Sequence, residues 1–212
     1  IATAAVAVSI AVVVISLAVI FGFKEQISSL VSGVAADVTI SSPYSHRQPE
    51  SHPITDNEAL RGLITSTENI AGIEPYALRN AIVRGEIGAE GVILKGVESE
   101  ADLSLIESRL ESGAMPQMEG TRRKEVLLSR DLAQKIGADT NSRIEIVLIE
   151  DDSPRREVFK VCGIYRSVLG NVASSLAITD IRNVQKINRW EPSQITGYAC
   201  RLDAPELSIA TA

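Results

Sequence analysis

Hydrophobic and polar residues are distributed unevenly along this chain of 212 residues, and the first segment is apolar throughout. Residues 1–23 contain no charged side chain, no proline and a single glycine. About 20 helical residues, each rising about 1.5 Å, span the roughly 30 Å hydrocarbon core of a bilayer. The rival interpretation is a signal peptide, but its apolar region has only about 7–15 residues and ends at a small-residue cleavage site, which is missing here. The pattern predicts a transmembrane helix and stalk over residues 1–33.

The next segments alternate between strand-like and helix-like patterns. Residues 36–42 alternate apolar and polar side chains, as a half-buried strand does. Residues 43–53 are rich in proline and serine and predict a loop. Thr55, with Glu58 three residues later, has the spacing of a capping box and predicts a helix start. The predicted apolar stripe of this helix comprises Leu60, Leu63 and Ile64.

Glycine and β-branched residues dominate residues 72–97 and predict a pair of strands. Gly85, Gly88 and Gly91 fall between the two strands. A glycine-rich loop binds phosphate when a helix N-terminus follows it, and here a strand follows. We therefore interpret these glycines as a turn.

Two helices are predicted next, separated by a loop. Ser99 and Asp102 predict the start of the first helix, whose expected inward side chains are Leu103, Ile106 and Leu110. Residues 112–124 predict a loop, where Met115 and Met118 either cover a hydrophobic surface or fill a gap. A short strand from residue 125 then leads into a helix that we expect to begin after Ser129 and to end at Gly137.

Residues 149–159 read IEDDSPRREVF and lie between two segments with strand-like alternation. Glu150, Asp151 and Asp152 have oxygen ligands suited to calcium, but the glycine and the distal glutamate of a calcium-binding loop are missing. The pattern predicts the solvent-exposed tip of a β-hairpin.

The end of the chain repeats the strand and helix pattern. A strand over residues 175–180 leads through Thr179 into a helix, and a strand over residues 195–202 leads into another. Breaks near residues 112 and 191 enclose a strand-rich middle part. This order predicts an α+β fold of two nested lobes, the second inserted into the first.

Composition narrows the possible functions. The net charge of −6 provides no basic face for nucleic acid. His46 and His52 lie in one loop at no common metal-ligand spacing, and no catalytic constellation or nucleotide-binding loop is present. We predict a non-catalytic domain without a metal or cofactor. Cys162 and Cys200 are expected to be two buried free thiols or, alternatively, one disulfide bridge.

The chain begins with Ile rather than Met and ends in a pattern that looks unfinished. We therefore expect it to be a fragment of a longer protein.

Five segments in succession resemble the extracytoplasmic domain of permeases in the MacB, FtsX and LolC–LolE superfamily of ABC transporters. They are residues 19–42, 91–117, 125–138, 159–167 and 175–205. Each segment alone is a weak signal of apolar pattern and helix caps, but together they follow the order of the family. The lipoprotein-releasing LolC/LolE branch fits best, since ITGYACRLDAP is similar to the end of its periplasmic domain.

The resemblance implies an inner-membrane permease whose polar part, residues 34–212, lies in the periplasm. It implies a porter-like lobe, residues 34–111 and 191–212, interrupted by a sabre-like lobe, residues 112–190. A separate ABC ATPase subunit would bind and hydrolyse ATP. Further implied partners are a second permease copy or sister permease, a periplasmic carrier or adaptor protein, and membrane lipid or lipoprotein.

The resemblance also implies two candidate surfaces. The hairpin around residues 149–159 occupies the position of the LolC hook, which captures a lipoprotein carrier, although it is shorter and more acidic at its tip. Pro154, Arg155 and Arg156 are the positions that we transfer as partner-binding. The second candidate surface faces lipid where the first helix leaves the membrane, and it comprises Phe21, Phe23, Ile27 and Leu30.

Three other functions remain open at this stage. One is an efflux permease like MacB that docks a periplasmic adaptor, and another is an FtsX-like regulator of a cell-wall hydrolase. The third is a membrane-anchored enzyme or sensor, which the missing catalytic and ligand-binding signatures disfavour.

Overall fold

The computed structural model describes residues 36–44, 50–148, 154–167 and 175–203. The predicted transmembrane helix, its four candidate lipid-facing residues, His46, and the acidic hairpin tip lie outside these ranges. Among the described residues, no helix combines the length and the hydrophobicity needed to cross a membrane.

The described elements confirm a mixed α+β fold in which strands predominate. The strands are β1 Val38–Ser41, β2 Ile54–Thr55, β3 Ile70–Arg84, β4 Ala89–Val97, β5 Leu110–Gly113, β6 Glu125–Ser129, β7 Arg143–Leu148, β8 Arg155–Tyr165, β9 Leu176–Asp180, β10 Gln194–Ile195 and β11 Gly197–Leu202. The helices are α1 Glu58–Thr65, α2 Ser104–Glu107, α3 Arg130–Ile136 and α4 Ile181–Asn188.

Six of these strands pair into a closed ring. Antiparallel pairs join β3 to β4, β9 to β6, β8 to β7 and β7 to β3, while parallel pairs join β4 to β9 and β6 to β8. Outside the ring, β11 pairs with β3 and with β1, and β10 pairs with β2. Because β7 bonds to strands on both of its sides, the β7–β8 hairpin forms part of the wall of the ring.

Alternating inward side chains, as in β7, help to fill the ring. In β7, Ile144, Ile146 and Leu148 are at most 1% exposed, while the residues between them are half-buried or exposed. The buried residues belong to one cluster with apolar side chains of α1, α3 and α4. A Cβ added at Gly85 would lie 2.2 Å from the Ile136 carbonyl oxygen, and one added at Gly96 would lie 2.7 Å from Ile181 Cα. Helices α3 and α4 therefore approach opposite ends of β4.

A second, smaller cluster covers part of the outer wall. Four of its buried members, Val97, Leu127, Tyr165 and Ile178, lie on the ring strands. Ile106 of α2 packs onto them, and it is 3% exposed. The α2 segment thus covers this patch, and burial of Ile106 contributes about 1.5–3 kcal/mol to folding.

The segment from β6 to Gly137 forms as the sequence predicts. The Ser129 hydroxyl accepts a hydrogen bond from Leu132 N at 3.2 Å, and α3 ends at Gly137 in the left-handed conformation with φ 68°. The turn between β3 and β4 is also confirmed, with Gly85 N donating to Gly88 O at 2.9 Å.

Four local predictions were wrong. Asn57, not Thr55, caps α1: Asn57 Oδ1 accepts from Leu60 N at 2.8 Å, while Thr55 pairs with Gln194 in a strand. Leu63 is 67% exposed, because α1 is short and packs through Ile64 instead.

The other two errors concern element boundaries. Leu110 belongs to β5 and pairs with Tyr165, since α2 ends at Glu107. Asp180, not Thr179, caps α4. The Thr179 hydroxyl instead donates a hydrogen bond to Glu125 O at 2.6 Å within the sheet.

The two predicted lobes share the ring. Strands β3 and β4 come from residues 34–111, and β6 to β9 come from residues 112–190. Any division into porter-like and sabre-like lobes has to pass between hydrogen-bonded strands, and that division stays a proposal.

A half-buried carboxylate joins α1 to the sheet. Asp56 Oδ1 accepts hydrogen bonds from Arg61 Nε at 2.7 Å and from the Tyr198 hydroxyl at 2.6 Å. The bond from Arg61 lowers the pKa of Asp56 below its ordinary 3.8, against the opposing effect of burial. Burial, together with Asp56, raises the pKa of Tyr198 to about 12.

This network predicts acid-sensitive stability. The pKa of Asp56 in the folded chain lies below its ordinary 3.8. The ionised carboxylate therefore contributes fully to the free energy of unfolding above pH 3.8, and this contribution disappears as the pH falls through the folded pKa. We expect the difference in free energy of unfolding between the parent chain and Asp56→Asn to be largest near about pH 6 and to shrink below about pH 4. Urea unfolding at a series of pH values measures it, and a difference that is constant with pH would contradict the assignment.

A candidate partner-binding hairpin

The hairpin that contains the IEDDSPRREVF sequence is built from β7 and β8. Its strands pair in antiparallel register from Arg143 opposite Lys160 to Leu148 opposite Arg155. Both predicted strands are confirmed, and the residues that connect them, 149–153, lie outside the described ranges. The described hairpin therefore ends at the pair Leu148 and Arg155, and Pro154 follows the connection.

Arg155 is bound to its own chain. It occupies a core-facing position of β8, and its guanidinium donates a hydrogen bond to Ile187 O at 2.5 Å, at the C-terminal end of α4. The same guanidinium lies 3.9 Å from Glu157, and both side chains are 26% exposed. A cation at a helix C-terminus also complements the helix dipole. Arg155 thus fixes the hairpin against α4.

Glu157 links the hairpin to a second segment. Its carboxylate accepts a hydrogen bond from Lys124 Nζ at 2.6 Å. This bond, more than the nearby charges, holds the pKa of Glu157 below its ordinary value. Two contacts, one from Arg155 and one from Glu157, therefore hold the end of the hairpin nearest the connection in place.

Pro154 and Arg156 have the opposite orientation, and both are exposed. Arg156 lies opposite Val147, and no carboxylate of the described residues forms an ion pair with it. Val158, the next outward residue of β8, is 50% exposed. The outward side of the hairpin thus presents an exposed guanidinium beside an apolar side chain.

The sequence prediction named Arg156 but missed Val158. The alternation of β8 contains the necessary signal, since Val158 shares the outward phase of Arg156 and Lys160. The predicted site residues therefore differ in their surroundings. Pro154 and Arg156 are exposed, whereas Arg155 bonds to α4 and holds the strand that carries them.

Arginine and a small apolar side chain on a rigid strand pair suit recognition of a protein surface. A guanidinium forms bidentate hydrogen bonds to carboxylates, and arginine is frequent among residues that dominate interface energy. The described residues contain no group of three or more histidine, cysteine or acidic side chains that is arranged to hold a metal ion.

The cysteines are free thiols rather than a bridge. Both thiols were expected to be buried. Cys200 is buried, whereas Cys162 is only half-buried. Burial raises the pKa of Cys162 to about 12, which keeps this thiol protonated and unreactive at neutral pH.

Comparison with known families identifies the domain. The model of the MacB-like periplasmic core domain matches residues 1–207 of the chain. The chain belongs to this family. The sequence resemblance to the MacB, FtsX and LolC–LolE superfamily is thereby confirmed at the level of the periplasmic domain.

The curated relatives of this MacB-like domain come from lipoprotein-releasing systems. The transmembrane protein LolC of Xylella fastidiosa is 23% identical over 205 residues, covering 93% of this chain and 47% of that protein. The transmembrane protein LolE of Haemophilus influenzae is 24% identical over 211 residues, covering 94% of this chain and 49% of that protein. The chain spans about half the length of these relatives.

A solved structure supports the fold. The periplasmic region of MacB from Actinobacillus actinomycetemcomitans aligns with a TM-score of 0.50 and 13% identity, covering 82% of this chain and 79% of that one. At this identity the similarity concerns the fold of the MacB-like domain.

Proposed function

We propose that the chain is part of a non-catalytic permease subunit of an ABC transporter that releases lipoproteins from the bacterial inner membrane. The observation that carries the proposal is the similarity to LolC and LolE over more than nine-tenths of the chain. Both relatives are named as transmembrane proteins of lipoprotein-releasing systems. ATP would be hydrolysed on a separate subunit, and the periplasmic domain would couple that hydrolysis to release.

The proposed arrangement follows the sequence prediction. Residues 1–33 would cross the membrane and form the stalk, and residues 34–212 would lie in the periplasm. Residues 34–111 and 191–212 would form the porter-like lobe, and residues 112–190 the sabre-like lobe. The permease would pair with a second copy or with a sister permease.

We further propose that the hairpin docks the periplasmic lipoprotein carrier through its outward side. Arg156 would bind a carboxylate of the carrier, and Pro154 and Val158 would supply apolar contact. Arg155 would act indirectly, because its guanidinium already bonds to Ile187 O. Lipoprotein or lipid would enter beside Phe21, Phe23, Ile27 and Leu30.

An efflux permease like MacB is the second candidate, since the matching family model is described by the periplasmic core domain of MacB. Such a permease would dock a periplasmic adaptor rather than a lipoprotein carrier.

Depletion of the full-length protein in its host tests the first function. If the permease releases lipoproteins, they will accumulate in the inner-membrane fraction, and expression of the intact protein will restore them to the outer membrane. Normal delivery of lipoproteins after depletion would contradict the proposal. Sensitivity to exported drugs or peptides, with lipoproteins correctly delivered, would favour the efflux permease.

A further inference from the structure

A groove with an estimated volume of about 320 Å³ lies on the outer wall of the domain, between the segment that includes α2 and the loop before β6. Four half-buried apolar side chains line it, namely Ala101, Leu103, Met115 and Met118. The exposed carboxylates of Glu107 and Glu119 form part of its rim. The groove is separate from the hairpin, whose residues are not among those that line it.

Hydrogen bonds from side chains restrain the loop backbone at the methionines. Arg182 of α4 donates hydrogen bonds to Met118 O and, at 2.7 Å, to Gly120 O. Gln117 N donates to a Glu125 carboxylate oxygen at 3.0 Å. These bonds restrain the loop main chain before anything binds, which lowers the entropic cost of binding.

Unlike the restrained backbone, the methionine side chains can adapt to a partner. Methionine is unbranched and polarizable, so it adapts to apolar partners of varied shape. Met115 and Met118 pack on the second cluster with one side, and they line the groove with the other. Both interpretations of these methionines from the sequence thus describe part of what they do.

Charge indicates the kind of partner. Within the described residues, no lysine, arginine or histidine lines the groove, and its charged lining residues are Glu107 and Glu119. Arg182, the arginine that anchors the loop, is occupied by Asp180 and by the loop carbonyls. An apolar floor with a negative rim complements an apolar side chain flanked by cations.

We propose that this groove binds a polypeptide segment of a second protein that presents an apolar side chain between lysines or arginines. The volume is at the lower end of the range for ligand sites, about 300–1,000 Å³, and suits one or two side chains rather than a folded surface. The proposal concerns a surface apart from the hairpin and does not depend on lipoprotein release.

Methionine methyl NMR tests the proposal, because the chain contains only two methionines. The 212-residue chain, labelled with ¹³C at its methionine methyls, is titrated with a blocked hexapeptide, Lys-Arg-Leu-Leu-Arg-Lys. We expect both methyl signals to shift saturably. The double variant Glu107→Gln with Glu119→Gln should bind roughly 3- to 10-fold more weakly, since two rim charges are removed.

Two controls make the result specific. A blocked peptide with glutamate and aspartate in place of the cations should leave both signals unshifted. The double variant Glu68→Gln with Glu191→Gln removes two exposed carboxylates outside the groove and should bind like the parent chain.

Three outcomes would overturn the assignment. They are equal shifts with the cationic and the acidic peptide, unchanged affinity in the Glu107 and Glu119 variant, and no shift with the cationic peptide. Shifts that depend on protein concentration without any peptide would instead assign the groove to a second copy of the chain.

Discussion

A chain that carries Arg156→Glu is expected to bind the periplasmic carrier at least about tenfold more weakly than the parent chain, while its stability stays the same. Arg156 is exposed and forms no ion pair with the described residues, so folding gains little from it. An exposed charge alters the free energy of unfolding by about 0–1 kcal/mol, whereas truncation or reversal of a central interface arginine costs considerably more. Site-specific crosslinking to the carrier and urea unfolding measure the two effects separately.

The chain provides a matched control for this experiment. Arg143 is also exposed and lies on the same outward side of the hairpin. It pairs with Lys160 at the base of the hairpin, about 13 Å along the strand from the pair formed by Val147 and Arg156. We expect Arg143→Glu to leave crosslinking within about twofold of the parent. Equal loss in both variants would indicate a general effect of charge, and no loss in Arg156→Glu would exclude the hairpin as the docking site.

Replacing Asn183 with alanine is expected to lower the free energy of unfolding by about 2–4 kcal/mol. Asn183 is 0% exposed, and its amide donates to Arg123 O at 2.7 Å and to the Thr179 hydroxyl at 2.9 Å. Its side-chain oxygen accepts a bond from Arg122 at 2.6 Å. Alanine removes all three bonds and leaves buried polar groups without partners, which is costly in the interior.

The same substitution should loosen the loop that leads into β6. Trypsin cleavage after Arg122 or Arg123 is therefore expected to become faster in the variant, because the loop opens more readily. Asn80→Ala, at an exposed position of β3, serves as the control and should alter the free energy of unfolding by less than about 0.5 kcal/mol. A loss below about 1 kcal/mol for Asn183→Ala would show that the network contributes little.

Local signals in the sequence predicted the elements that depend on near neighbours. Ser129 and Gly137 delimit α3 because a hydroxyl cap and a left-handed glycine act within one helical turn. The alternation of β7 and β8 likewise predicted the hairpin. Both kinds of signal depend on a few consecutive residues, so they can be read from the sequence.

Long-range pairing explains what the sequence did not reveal. Thr55 has the spacing of a helix cap, but its strand pairing with Gln194 takes precedence and Asn57 caps the helix. The closed ring depends on the contact of β3 with β7, for which no local pattern exists. The difference between Arg155 and Arg156 could also be seen only in the structure. The position of α4 shows that the Arg155 guanidinium is hydrogen-bonded to Ile187 O.

Release of a lipoprotein from reconstituted vesicles tests the proposed function most directly. The full-length permease, its sister or second copy and its ATPase are placed in proteoliposomes that contain a radiolabelled triacylated lipoprotein. If the permease acts in lipoprotein release, the label will leave the vesicles only when ATP and the periplasmic carrier are both present. Retention of the label, while the same vesicles hydrolyse ATP at a normal rate, would contradict the function proposed for this protein.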